Sequence, residues 1–252
     1  MNILLTNDDG IDAQGLNCLY NALKPNHKVY IIAPKENKSG TSQSINMYRK
    51  LLFEQKSENV FAIDGTPSDC IIAYYTGDFI KEKIDLVLSG INRGPNLGTD
   101  ILYSGTCGAA RQASLYGIKA FALSVEGNYG MQNEKDELNY NGMCNFIVNN
   151  LEKLIGMCPG DCFLNINVPS QDKFNGIKYC SLCKRKYHDT TETVEISGEK
   201  YIQFVGESSV ETSGNDDNDG KCVNDGYISI SCLKVEPECC NSNLLNPEEF
   251  IL

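Results

Sequence analysis

The chain has 252 residues, of which 41% are hydrophobic and 22% charged, and its formal net charge at pH 7 is −11. This composition suits one large globular α/β domain, or one domain with an appendage. The negative charge argues against a polynucleotide partner, which would require a basic face, but not against a small phosphorylated ligand, because a bound cation can supply positive charge locally.

The first predicted element is a buried strand over residues 3–5, an apolar run that turn-forming residues end at once. Asp8 and Asp9 then lie at its carboxyl end, which is the edge where ligands bind in open α/β sheets. Adjacent carboxylates repel each other unless a positive group lies beside them, and a divalent cation would satisfy both. A solvated turn with a helix N-cap is the alternative interpretation of these residues.

A βαβ unit continues from this strand. The spacing of apolar residues predicts a helix over 11–24, which Pro25 ends. A second strand is predicted over 29–33, parallel to the first because such crossovers are right-handed. The loop after this strand carries Ser39, which should therefore emerge at the same sheet edge as Asp8.

The following segment predicts a β-hairpin, because β-like runs over 45–53 and 59–63 flank a polar turn. A helix then begins with Thr66 as its N-cap and Pro67 at its first position, and ends at Thr76. Further strands and helices alternate as far as residue 170. The predicted strands are 84–88, 121–125 and 162–168, and the predicted helices are 106–116 and 138–155.

Beyond residue 177 the pattern changes to short β-like runs over 177–182, 201–205 and 227–233. The acidic segment 207–225 is expected to be a mobile connection. The predicted fold class is α/β, a doubly wound and mainly parallel sheet with additional β structure. We expect a core over 1–170, with a hairpin arm at about 44–64, and a β-rich C-terminal extension over 171–252.

This topology places four oxygen-bearing side chains at strand ends, and they are Asp8, Asp9, Ser39 and Asn92. Carboxylate, hydroxyl and amide oxygens are hard ligands, which favour Mg²⁺, Mn²⁺ or Ca²⁺ over zinc. Such a site suits metal-assisted phosphoryl transfer, in which the cation polarises the phosphate and lowers the pKa of a bound water.

A candidate anion pocket lies at Ser104, Gly105 and Thr106, where a predicted helix begins after the long glycine-rich connection over 89–108. Free backbone N–H groups, the helix dipole and two hydroxyls are suited to phosphate, whereas simple N-capping is the alternative. Asn96 lies within this connection. Its side chain is a candidate for orienting water or the transferring oxygen, with a plain turn role as the alternative.

Other classes of protein lack their required residues. A phosphoacceptor receiver would need a further aspartate and a lysine at later strand ends, an aspartyl-phosphate phosphatase needs D-x-D, and a dinucleotide-binding dehydrogenase needs G-x-G-x-x-G. A serine hydrolase elbow is absent, and His27 and His188 are expected to be structural. A nucleotide-binding module without catalysis remains compatible with the same residues.

The sequence has no apolar run long enough for a membrane span, and its N-terminus lacks the features of a signal peptide. We therefore expect a cytoplasmic protein without membrane association, whose 12 cysteines are reduced thiols. Cys180 and Cys183 form a single C-x-x-C pattern, for which two ordinary thiols are the favoured interpretation over zinc or redox chemistry.

Six stretches occur in order over nearly the whole chain: ILLTNDDGIDAQGL, APKENKSGTS, GTPSDC, DLVLSGINRGPNLGTDILYSGTCGAARQA, FLNINVP and DGYISI. In these stretches the chain resembles the SurE family of stationary-phase survival proteins, which are metal-dependent 5′/3′-nucleotidases. The first and fourth stretches are the most specific. The resemblance implies a Rossmann-like core with a C-terminal β extension that exchanges between the subunits of a homodimer or homotetramer. The strands of the C-terminal region are too few to hold a core alone, so residues beyond about 225 should pack on a second subunit.

The resemblance also implies an activity, the hydrolysis of nucleoside 5′- and 3′-monophosphates and, in some members, of short polyphosphate. By position, the metal ligands are Asp8, Asp9, Ser39 and Asn92, and the substrate loop is Asn96 with Ser104 to Thr106. One divalent cation per subunit is expected, Mg²⁺ or Mn²⁺ in preference to Ca²⁺ or Co²⁺. The alternative function is a nucleotide- or polyphosphate-binding regulator without turnover.

Overall fold

The structure is a computed structural model, which describes residues 1–127, 138–205 and 210–237. The strands in these residues are β1 (Asn2–Thr6), β2 (Lys28–Pro34), β3 (Phe53–Ser57), β4 (Val60–Ile63), β5 (Leu86–Arg93), β6 (Lys119–Glu126), β7 (Cys162–Pro169), β8 (Ile177–Tyr179), β9 (Lys184–Tyr187), β10 (Thr190–Ile196), β11 (Glu199–Val205), β12 (Val210–Ser213) and β13 (Ile228–Lys234). The helices are α1 (Gln14–Leu23), α2 (Pro67–Thr76), α3 (Gly105–Leu115), α4 (Asn141–Met157), α5 (Asp219–Asn224) and a 3-10 helix over Gly98–Leu102. Within the described ranges, no helix combines the length and apolar character that a membrane crossing requires.

A nine-stranded sheet organises the chain, in the order β3-β4-β2-β1-β5-β6-β7-β13-β8. The strand β1 lies between β2 and β5 and is parallel to both, and the parallel pairing continues through β6 to β7. Helices connect these parallel strands, as right-handed crossovers require. The predicted α/β class with a doubly wound, mainly parallel sheet is confirmed.

The helices cover both faces of this sheet. Ile3 and Leu5 of β1 lie in one buried cluster with residues of α1 and α4, whereas Leu4 lies in the opposite cluster with residues of α2 and α3. Successive side chains of a strand point to opposite faces, so a strand that is covered on both sides must be apolar throughout. Burying each of these side chains contributes roughly 1.5–3 kcal/mol. The well-packed strand then holds the residues that follow it at a fixed place on the sheet edge.

The helix α2 begins and ends where the sequence predicts. The Thr66 hydroxyl accepts a hydrogen bond from the backbone N–H of Asp69 at 3.1 Å, and the Asp69 carboxylate accepts one from the N–H of Thr66 at 2.8 Å. Pro67 occupies the first helical position, and Thr76 is the last helical residue. This reciprocal capping box satisfies two backbone donors at the helix start, which explains why the local sequence is sufficient to predict it.

The segment expected to form a hairpin arm differs in the structure. β3 begins only at Phe53, and Met47 and Tyr48 before it are exposed and outside any strand. The Phe53 ring packs against Phe61 and Phe79, with centroid distances of 5.4 and 4.7 Å, which places the start of strand pairing there. Because β4 pairs in parallel with β2, the hairpin forms the edge of the main sheet.

The main sheet also continues past residue 170, where the core was expected to end. β13 pairs antiparallel with β7, and β8 pairs with β13. Ile228 and Ile230 therefore lie in the core of their own chain, whereas residues beyond about 225 were expected to pack on a second subunit. The strands that lie outside the main sheet form two separate pairs, β10 with β11 and β9 with β12. The tail 243–252 lies outside the described residues.

The acidic segment, expected to be mobile, forms β12 and α5 in its described part, 210–225. The Asp219 side chain is fully buried, and its carboxylate accepts hydrogen bonds from the backbone N–H groups of Gly98 and Cys183 at 2.8 Å each. Asn218 caps the helix by accepting from the N–H of Lys221 at 2.9 Å. These polar residues therefore order the segment through specific hydrogen bonds, which overall acidity does not reveal.

Candidate active site

Asp8 lies just beyond the carboxyl end of β1 and is 3% exposed. Its carboxylate accepts two hydrogen bonds from Thr106, one from the backbone N–H at 3.1 Å and one from the hydroxyl at 2.5 Å. Burial raises the pKa of Asp8 above its ordinary value, and the bonds from Thr106 act in the opposite direction. The first turn of α3 therefore fixes a buried carboxylate whose charged form a cation would stabilise.

Asp9 adds a second carboxylate, and its Oδ2 accepts a hydrogen bond from the backbone N–H of Arg93 at 3.0 Å. Burial, together with the negative charge of Asp8, raises the pKa of Asp9 to about 6. Two neighbouring carboxylates that both resist ionisation form an arrangement that a bound divalent cation relieves. The donor atoms at this end of the sheet therefore fit a hard cation.

One cavity of about 890 Å³ brings three of the four predicted ligands together, because Asp8, Ser39 and Asn92 all line it. The loop that carries Ser39 is held to β1, since the backbone N–H of Lys38 donates to the Asp8 carbonyl at 2.6 Å. Asp9 does not line this cavity. Among the described residues, no group of three or more His, Cys, Asp or Glu is placed to hold a metal. The four candidate metal ligands therefore comprise only two carboxylates, together with the hydroxyl of Ser39 and the amide of Asn92.

Asn92 reaches the cavity through a bulge in β5, where the pairing with β6 shifts between Ser89 and Asn92. Bulges redirect side chains next to functional sites. At Gly90, which has φ +136°, an added Cβ would lie 2.3 Å from the carbonyl oxygen of Leu123, so only glycine fits there. The Asn92 amide nitrogen donates to the carbonyl of Gly94 at 2.8 Å, which leaves Oδ1 as the atom to act as a ligand.

The predicted phosphate loop lies where α3 begins. Ser104 is the N-cap and accepts a hydrogen bond from the N–H of Cys107 at 3.0 Å, and it also lines the cavity. Thr106 is fully buried, and its hydroxyl and N–H are directed to Asp8 rather than to the open cavity. At Gly105 an added Cβ would lie 2.9 Å from the Asp8 Cβ. The helix N-terminus, with its positive dipole end, therefore packs directly against the candidate metal ligand.

Asn96 is 6% exposed and is held from three sides. Its amide nitrogen donates to the hydroxyl of Ser124 at 2.8 Å, and its backbone N–H donates to Oδ1 of Asn167, also at 2.8 Å. The backbone carbonyl of Asn96 accepts from the amides of Asn165 at 2.8 Å and Asn167 at 3.2 Å. Asn165 and Asn167 were not among the predicted site residues, although two asparagines within the buried strand β7 are a signal, because buried amides require hydrogen-bond partners.

The opposite wall of the cavity contains charged and aromatic side chains. Arg185 of β9 forms an ion pair with Asp100, Nε to Oδ2 at 3.1 Å, and the Tyr187 hydroxyl donates to Oδ1 of Asp100 at 2.8 Å. Burial raises the pKa of Asp100, while Tyr187 and Arg185 lower it. These residues were not predicted, because no strand was expected at 184–187 and no motif marks them.

Other side chains considered in the sequence analysis lie elsewhere. Neither His27 nor His188 lines the cavity, and Nε2 of His188 is 2.9 Å from Glu211. Cys180 and Cys183 are buried free thiols, and Cys183 belongs to a small apolar cluster with Leu97 and Val223.

The chain matches the family model described as Survival protein SurE over residues 3–189. It is 36% identical over 238 residues to a 5′-nucleotidase SurE of Gemmatimonas aurantiaca, covering 94% of this chain and 93% of that one. It is 37% identical over 243 residues to a 5′-nucleotidase SurE of a Thermoanaerobacter species, with the same coverage of each chain. The crystal structure of the SurE protein from Aquifex aeolicus superposes with a TM-score of 0.77 at 30% identity, covering 94% of both chains.

Proposed function

This chain belongs to the SurE family, and from that membership we propose that it is a nucleotidase. It hydrolyses nucleoside 5′-monophosphates, and also 3′-monophosphates, to nucleoside and phosphate, with short polyphosphate as a further substrate. The family relatives named 5′-nucleotidase support the reaction class. One observation supports placing this reaction at a particular site. A single cavity is lined by residues from four separate segments, Asp8, Ser39, Asn92 and Ser104.

We assign one divalent cation to Asp8, Asp9, Ser39 and Asn92, with Mg²⁺ or Mn²⁺ preferred to Ca²⁺ or Co²⁺. All four side chains offer oxygen atoms, which are the donors that these cations prefer. When bound, the cation would polarise the phosphoryl group and lower the pKa of a water molecule. The raised pKa values of Asp8 and Asp9 support this assignment, because burial makes their charged forms costly, and the charge of Asp8 adds to this cost at Asp9.

The remaining residues of the loop have separate proposed roles. Ser104 and Gly105 hold phosphate oxygens at the start of α3, where the helix dipole favours an anion. Thr106 belongs to the same loop and also holds Asp8 in position. Asn96 is assigned a catalytic role with Asp8 and Asp9, because its side-chain nitrogen is fixed on Ser124 and its Oδ1 is then the atom available to orient water.

The nucleoside part of the substrate binds toward the opposite wall. The cavity extends from Asp8 to Asp100, Arg185 and Tyr187, and its volume of about 890 Å³ exceeds what a cation and a phosphate require. Tyrosine rings and a planar guanidinium are surfaces on which bases stack.

We further propose that the protein assembles as a homodimer or homotetramer through the hairpin of β10 and β11. These strands pair only with each other among the described strands. Ile202 and Phe204, on one face of the hairpin, are 72% and 80% exposed. Large apolar side chains clustered in this way indicate a protein–protein contact.

Phosphate release from AMP with Mg²⁺ or Mn²⁺, with and without a chelator, tests the proposed reaction. We expect release that the chelator abolishes and added cation restores. Asp8→Asn should remove this release, whereas the matched Asp12→Asn, at an exposed aspartate four residues later, should not. Binding of AMP without release under any of these cations would instead identify a nucleotide-binding regulator.

A further inference from the structure

A pair of cysteines joins two helices on one face of the sheet. Cys18 of α1 and Cys144 of α4 are 126 positions apart in the sequence, and their Sγ atoms are 3.1 Å apart. This separation is about 1 Å longer than a disulfide bond. The two sulfurs are therefore within reach of each other without any rearrangement of the sheet, and both are free thiols in the structure.

The two thiols differ in their surroundings. Cys18 is partly exposed, and its sulfur is also 3.7 Å from Oδ1 of Asn141, whereas Cys144 is 3% exposed. A hydrogen bond from Cys144 lowers the pKa of Cys18 to about 7, and the same bond raises the pKa of Cys144. Because the thiolate is the reactive form, Cys18 is the thiol that attacks first. Cys144 is the thiol that attacks second, at the sulfur of Cys18.

The other described cysteines lack this combination of features. Cys18 and Cys232 are partly exposed, whereas the remaining eight are buried. Cys107, for example, is fully buried, and burial raises its pKa to about 12. Among the ten described cysteines, Cys18 is the partly exposed thiol whose pKa a neighbouring sulfur lowers.

We propose that Cys18 and Cys144 form a thiol–disulfide site that low-molecular-weight disulfides oxidise. The Cys18 thiolate attacks one sulfur of the small disulfide, forms a mixed disulfide, and releases the first small thiol. Cys144 then gives its proton to solvent and attacks the Cys18 sulfur, which releases the second small thiol. The protein loses two protons and two electrons, which together reduce the small disulfide to two thiols.

The bridge would fasten α1 to α4. The helix α1 begins shortly after the turn that carries Asp8 and Asp9, and Gly15 at its start packs against the carbonyl of Ile91, next to Asn92. A bond between residues so far apart restricts the unfolded chain strongly, so the oxidised protein should melt at a higher temperature than the reduced one.

The test treats the reduced full-length protein with oxidised glutathione at pH 8 and maps its peptides without reduction. We expect a linked pair of peptides containing Cys18 and Cys144, lighter by two hydrogen atoms than the two separate peptides. The melting temperature should rise on oxidation and return on adding dithiothreitol. Alkylation of the native reduced protein with iodoacetamide should modify Cys18 before the buried thiols.

Three variants complete the experiment. Cys18→Ser should remove the linked peptides, and Cys144→Ser should retain a stable glutathione adduct on Cys18, since no second sulfur is present to displace it. The matched control, Cys232→Ser at the other partly exposed cysteine, should form the bridge as the wild type does. A wild-type protein that keeps glutathione on Cys18, or that does not react there, would overturn the proposal. Neither result depends on nucleotide hydrolysis.

Discussion

Thr106 donates both its backbone N–H and its hydroxyl to the carboxylate of Asp8, which lies 98 positions earlier in the chain. The contact joins the end of β1 to the first turn of α3. The position of the proposed metal ligand therefore depends on that of the proposed phosphate loop. A substitution on one side of this contact should therefore alter binding on the other side.

Replacing Thr106 with valine should weaken the proposed metal site while preserving the fold. The substitution keeps the side-chain shape but removes the hydroxyl, so the buried Asp8 carboxylate loses one of its two donors from this residue. An unsatisfied buried acceptor costs about 1–3 kcal/mol. We expect a higher concentration of Mg²⁺ for half-maximal phosphate release. Thr106→Ser, which keeps the hydroxyl, should remain close to wild type; an unchanged Mg²⁺ requirement in Thr106→Val would show that the bond does not support the site.

The raised pKa of Asp9 predicts how the metal-free protein responds to pH. The folded pKa of about 6 lies above the ordinary value of 3.8, so the folded state holds the proton more tightly than the unfolded state. The stability from this group is present below pH 3.8 and is lost as pH rises through 6, and it amounts to about 3 kcal/mol. With a chelator present, the melting temperature should fall between pH 4 and pH 7.

Asp9→Asn provides the control for this pH effect. The amide cannot ionise, so the metal-free variant should lose less stability over the same pH range than the wild type. Cation binding requires the ionised carboxylates, and the apparent Mg²⁺ affinity of the wild type should therefore decline below about pH 6. A melting temperature that rises steadily from pH 4 to pH 7 in the chelated wild type would contradict this account.

Local sequence patterns were sufficient to predict a structural element where that element depends on its own residues. The capping residues of α2 and the apolar run of β1 are examples, because hydrogen bonds within one turn and burial on two faces leave a direct trace in the sequence. Asp8, Ser39 and Asn92 could be placed on one sheet edge because parallel strands fix which end carries their loops.

Pairing between strands that are distant in the sequence has no such local sequence pattern. The place of β13 depends on its antiparallel register with β7, and the chain between them gives no indication that the strand returns to the main sheet. Arg185 and Tyr187 reach the cavity only because Asp219, Thr99 and the 3-10 helix hold β9 there. These contacts join residues more than thirty positions apart, so no local period or cap predicts them.

Asn167→Ala should reduce turnover through the position of Asn96. The side chain of Asn167 binds both the backbone N–H and the carbonyl of Asn96, at 2.8 and 3.2 Å, so its removal releases the loop on one side. We expect kcat for AMP to fall about tenfold or more, as loss of positioning does. Asn149→Ala, at an exposed position of α4, serves as the matched control. Equal kcat values for the two variants would remove Asn167 from the proposed positioning network.

Asp219→Asn should affect nucleotides more than small phosphate esters. The fully buried carboxylate of Asp219 accepts from the N–H of Gly98, which begins the 3-10 helix, and from that of Cys183, which precedes β9. Both elements contribute to the wall assigned to the nucleoside, whereas Asp8 and Ser39 lie on other segments. An amide cannot accept with its nitrogen, so at least one of these buried donors is left unsatisfied.

We expect KM for AMP to rise several-fold in Asp219→Asn while hydrolysis of p-nitrophenyl phosphate changes little. Asp225→Asn, an exposed aspartate immediately after α5, should leave both substrates unaffected. Equal losses for AMP and p-nitrophenyl phosphate in Asp219→Asn would show that the residue supports the whole fold instead of the nucleoside wall.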